Sequence, residues 1–193
     1  MAGMDDYEVA RQSPLGFCAK ATKARYLAYC HWTMKEGTPL DGSDVDVDES
    51  YARAALFEGW LRESSLALEL IAKAVFAQGE QGKEQPRSVP SNHNVPQIWK
   101  MAGLPALPRE QEYHLALAYQ VLQWSGRYEA PLKSANDLFD LLNKLRPKER
   151  LGAAFILKRH PSAWESFDAI YRLAEREYVA RSIAYEESLG VPF

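Results

Sequence analysis

The sequence predicts an all-α fold, on three observations. Nearly every long segment carries apolar residues at helical spacing, alternating β-branched stretches of strand length are missing, and leucine and alanine outnumber valine and isoleucine. With 193 residues, 47% of them hydrophobic, the chain can bury roughly 70% of its unfolded surface without disulfides or metals. A single domain over 1–193 is therefore expected, with a flexible arm over 1–16.

Taken in order, a first helix is expected from Phe17 to Glu36, after Pro14 and Gly16 and before the stop signal "EGTP". An acidic run, "DGSDVDVDES", leads into the longest helix, Asp48 to Gln78. Its apolar stripe Phe57, Leu61, Leu68, Ile71, Val75 steps by three, four and seven, with Ser64 and Ser65 at the missing position, so it should be a core element. Gly79 and Gly82 should end it, opening a mobile loop over 79–93 that is rich in Pro, Ser and Asn. A short helix fits Val95 to Ala102, closed by Gly103, and another fits Pro108 to Ser125. The break "SGRYEAP" follows, then helices from Ala135 to Leu145 and from Pro147, and a last long helix from Pro161 to Ser188. On that helix Trp164, Phe167, Tyr171, Ala174 and Tyr178 share one face.

Composition narrows the function classes. A formal net charge of -3 gives no overall attraction for nucleic acid or anionic membranes, although local basic clusters occur at Lys20, Lys23, Arg25 and at Lys144, Arg146, Lys148, Arg150. Cys18 and Cys30 lie on one expected helix, about 18 Å apart along its axis, too far to bridge each other. Reduced thiols, a cytoplasmic location and no membrane span are expected. The histidines His31, His93, His114 and His160 show no metal spacing. "DVDVDES" opens like a calcium loop, but Glu49 stands where such a loop needs glycine and Ala55 where it needs glutamate. No metal and no cofactor are expected, and there is no P-loop, dinucleotide fingerprint or nucleophile elbow.

Three stretches, "ARAALFEGWLRESSLALELIAKAVFA", "SNHNVPQIWKMAGL" and "YQVLQWSGRYEAP", in this order and spacing, resemble the HEPN superfamily of small helical bundles. The resemblance covers Ser50 to Pro131 and extends to the last helix at Trp164 to Tyr178. It implies an up-and-down bundle, here with an extra N-terminal helix, that dimerises and belongs among toxin–antitoxin and anti-phage components. Many members are metal-independent ribonucleases whose arginine and histidine, four to six residues apart on a late helix, meet their copies across a dimer interface. Others lack the pair and act as binding or partner modules.

Arg87 and His93 meet that spacing, and their side chains suit RNA cleavage, since an imidazole can take the 2′-hydroxyl proton and a guanidinium can stabilise the phosphorane. They lie, however, in a loop instead of on the late helix. The plainer reading gives His93 or Asn92 the cap of the helix beginning near Val95, and a third has the histidine lining a nucleotide pocket. Arg172 and Tyr178 echo a family variant in which tyrosine replaces histidine, yet Tyr178 falls on the apolar stripe. Arg127 and Tyr128 match the family by position; such an arginine can brace helix carbonyls or reach a phosphate. The expectation is thus a homodimeric binding or partner module for nucleotide, RNA or a partner protein. The alternatives are a metal-independent endoribonuclease using Arg87 and His93, and a structural, antitoxin-like interaction protein.

Overall fold

The computed structural model describes residues 13–34, 49–124 and 162–190. These form five helices and, among the described residues, no strand: α1 (Pro14–Met34), α2 (Glu49–Glu80), α3 (Val95–Met101), α4 (Arg109–Trp124) and α5 (Ser162–Ser188). The expected helices over 135–145 and from Pro147 lie outside the described residues. None of the described helices is long and apolar enough to cross a membrane.

α1 begins three residues earlier than expected, so Pro14 to Gly16 belong to the helix and not to an arm. Ser13 caps it: its hydroxyl oxygen accepts from the Gly16 N–H at 3.0 Å and its carbonyl from the Phe17 N–H at 3.1 Å. Pro14 then takes the first helical position, where a missing amide costs nothing and the fixed φ helps. The buried face of α1 is Ala21, Ala24, Ala28 and Trp32. Small residues there let α1 lie close against α2, and the approach is tightest where the His31 ring sits over Gly59: a Cβ on Gly59 would fall 2.8 Å from the ring. That contact pairs the end of α1 with the start of α2, so the two run antiparallel.

α2 is the axis of the bundle and touches each of the other four helices. The single stripe expected for it undercounts what it buries: every described side chain from Glu63 to Gln78 is buried except the half-buried Leu66 and Leu70. A helix hemmed in on all sides is a central helix. Leu68, Ile71 and Val75 are in the core as expected, Ser64 and Ser65 are buried with the Ser64 hydroxyl donating to the Leu61 carbonyl, but Phe57 and Leu61 are only half-buried and Trp60 takes the interior place between them. The helix also runs on through Gly79 to Glu80 and stops at Gly82, whose φ of +75° suits glycine.

Two apolar clusters result. The larger gathers Leu68, Ile71, Val75 and Phe76 of α2, Val95, Ile98 and Trp99 of α3, Leu115 and Ala118 of α4 and Phe167, Ile170, Tyr171 and Ala174 of α5. The smaller, toward the start of α2, packs Trp32 against Trp60 at a tilt, 4.8 Å between ring centres, with Phe57, Tyr113, Leu117 and Trp164 around them. The aromatic face of α5 is largely spent inside this chain: Phe167, Tyr171 and Ala174 are buried, Trp164 and Tyr178 half-buried. α5 runs parallel to α2, with Trp164 near Trp60 at one end and Arg181 donating to the Val75 carbonyl at the other. Arg25 of α1 ties to α5 by a bond from its Nε to Asp168 Oδ1 at 2.6 Å.

Candidate functional site

Besides Glu63, three charged residues of α2, Glu69, Lys73 and Glu80, are buried although nothing in helical periodicity requires it. Together with Phe76 they step by four, three and four and therefore share one face of the helix. The chain from Gln81 to Asn94 returns along this face and meets it at two points.

At the first point Glu80 collects the start of the loop. Its Oε1 accepts from Lys83 Nζ at 2.8 Å and from Arg87 Nε and Nη2 at 3.0 and 2.6 Å, while its Oε2 accepts from the Arg87 backbone N–H at 2.9 Å. These bonds hold the Glu80 carboxyl down to about 2, Arg87 being the largest cause and Lys83 the next. The Arg87 guanidinium lies over the Phe76 ring, 4.9 Å from its centre. An arginine that sequence reading placed in a mobile loop is thus fixed by its own amide, its side-chain edge and a ring below it. Beside it opens a cleft of about 360 Å³ between the start of α1 and the loop.

At the second point Glu69 takes the loop's other end. Its Oε1 accepts from Lys73 Nζ at 2.6 Å, and its Oε2 accepts from His93 Nδ1 at 2.9 Å. His93 does not cap α3, and neither does Asn92. The cap is Asn94, whose Oδ1 accepts from the Gln97 N–H at 3.1 Å, while Asn92 Oδ1 accepts from the Asn94 N–H at 3.0 Å. The imidazole is drawn instead to the carboxylate, leaving Nε2 as the ring atom able to face outward; the side chain is 44% exposed.

Arg87 and His93 are therefore not brought to one point within the chain. Their carboxylates stand eleven residues apart on one helix, roughly 16 Å along its axis. On α5, Arg172 bonds to Asp168 Oδ2 at 2.9 Å and Tyr178 packs half-buried against the larger cluster. Arg25 shares the same aspartate and lies over the Tyr171 ring, so it is withdrawn from the first basic cluster. Arg127, Tyr128, His160 and the cluster at Lys144 to Arg150 lie outside the described residues. No group of three or more metal-binding side chains occurs among the described residues.

Sequence reading missed Glu69, Lys73 and Glu80 because charge on a helix is ordinarily assigned to its wet side. A signal existed: "ALELIAKAVFAQGE" sets Glu69 and Lys73 four apart within a run too apolar to have a wet side. His114 of α4, which has no metal spacing in the sequence, is buried as well. Burial pushes its imidazole down to about 4, so it is neutral at pH 7. Compared with protein-family models, with curated proteins and with solved structures, the chain matches none of them.

Proposed function

We propose that this chain is a HEPN-type bundle that serves as a binding or partner module, with nucleotide or RNA as its ligand class. One observation carries the preference for binding over cleavage: Arg87 and His93 are each committed to a different buried carboxylate of α2. Cleavage of RNA without a metal needs its base and its cation on the same phosphodiester, and two anchors roughly 16 Å apart along one helix do not supply that within a chain. The HEPN reading is supported by the central placement of the alanine- and leucine-rich helix and by the histidine that ends the following loop.

A second reading, a metal-independent ribonuclease, is favoured by the Glu69–His93 contact. A carboxylate on Nδ1 fixes the tautomer and leaves Nε2 as a proton acceptor, which is how a general base is oriented. The two separate on incubation of the purified protein with a pool of small RNAs in chelator, beside His93→Ala. The binding reading expects retarded but intact RNA with both proteins. Cleavage by the parent that disappears in the variant would overturn it.

A further inference from the structure

Glu80 is a buried carboxylate whose bonding capacity is used up by two half-exposed cations. As a device for stability this is favourable, since its bonds outweigh the cost of burying the carboxylate and hold the group in its charged form. As a device for aiming cations it is effective. Of the five N–H donors on a guanidinium, Arg87 gives two to Glu80, leaving three, and Lys83 gives one of its three. No other hydrogen-bond acceptor for either side chain is present among the described residues, and both line the open cleft of about 360 Å³. Its remaining walls include Pro14, Ala77, Gly82 and Val89, which are apolar and close to the positive end of α1. With Glu80 neutralised by one of the cations, the cleft carries a surplus positive charge beside flat apolar walls.

We infer that this cleft binds the phosphate end of a small phosphorylated molecule, with the outer edge of Arg87 and the ammonium of Lys83 on the phosphate. Glu80 and Phe76 act as positioning residues: they order the guanidinium before the ligand arrives, so its rotamer entropy is not lost on binding. The inference rests on the binding-module reading and gives it a site. A cleft of this volume is within the range of small-ligand sites.

The test is calorimetric titration of inorganic phosphate, adenosine monophosphate and adenosine into the full chain at low ionic strength. Both phosphate-bearing probes should bind saturably and adenosine should not. Arg87→Lys, which keeps the charge and loses the fork, should weaken binding by roughly tenfold, and Lys83→Gln by roughly threefold. Glu80→Gln should also weaken it, although it adds a positive charge, because the guanidinium loses its anchor. Circular dichroism establishes that each variant is folded; Lys83→Gln removes only one exposed contact and serves if Arg87→Lys does not fold. Tighter binding by Glu80→Gln would mean simple charge attraction and overturn the positioning role. Absence of saturable phosphate binding, or equal affinity in parent, Arg87→Lys and Lys83→Gln, would overturn the site. Retention of RNA in a gel shift alongside either result would leave the binding module standing without this cleft, whereas failure of every probe would remove both.

Discussion

Glu69 and Glu80 are two buried carboxylates on one face of one helix, and they are neutralised in opposite ways. Glu69 has a cation inside the fold, Lys73, one helical turn away and 9% exposed; His93 is an addition from outside. Glu80 has no internal cation and relies on Lys83 and Arg87, both at least half exposed. A carboxylate paired internally is part of the frame. One paired by exposed residues keeps them in place and leaves their remaining N–H groups facing solvent, which is why the Glu80 end of the loop, and not the Glu69 end, is the better place for a ligand.

The largest effect that could break this comparison comes from Lys73→Met. It leaves Glu69 buried with only His93 to neutralise it and should cost about 3 kcal/mol in urea unfolding, by the usual penalty for stripping one partner from a buried pair. If it costs less than about 1 kcal/mol, the pair is not a structural element. Acid comes next and acts first on His114. Its pKa is about 4 in the fold against 6.5 unfolded, so below pH 6.5 the unfolded chain takes up a proton that the native one refuses. Stability should therefore fall by about 3 kcal/mol between pH 6.5 and 4 and then level off. His114→Gln should abolish that slope in urea unfolding followed against pH. With it removed, the Glu80 contribution appears separately: this carboxyl is lowered from 4.5 to about 2, so its share is present above pH 4.5 and lost as pH falls toward 2. Arg87→Ala should lower the melting temperature by several degrees, less than Lys73→Met, because Lys83 and the backbone amide at position 87 remain on Glu80. Smallest of all, His93→Ala should change stability by about 1 kcal/mol or less, since Lys73 still holds Glu69.

The architecture was legible because helical periodicity, proline and glycine report on local geometry. Val95 and Gly103 bound α3 within a residue of the expectation, and Ser188 ends α5 where expected. Errors came where one residue had two readings. Pro14 resembles a break in the sequence but after Ser13 opens a helix, and Gly79 resembles a stop although α2 runs through it. The glycine leaves room for a neighbour: a Cβ on it would fall 2.8 Å from Arg181 Nη1, the group reaching the Val75 carbonyl, and the guanidinium would have to shift. The site was half legible. Arg87 and His93 were picked out by spacing, but what each does is decided by Glu80 and Glu69, and the contact between a loop and a buried face is a tertiary fact that no local pattern carries. Arg127 and Tyr128 lie outside the described residues.

The alanine seam of α1 has a kinetic consequence. Ala21, Ala24 and Ala28 pack on the next helix in the chain, so the α1–α2 hairpin is made of contacts of short sequence separation and can form early in folding. The Arg25–Asp168 bond joins residues 143 apart and must wait for α5. Weakening the seam, for example by Ala24→Gly, should therefore slow refolding, while Asp168→Ala should mainly hasten unfolding. Those two outcomes would make the closing helix the determinant of how long the protein stays folded, and the hairpin of how quickly it gets there.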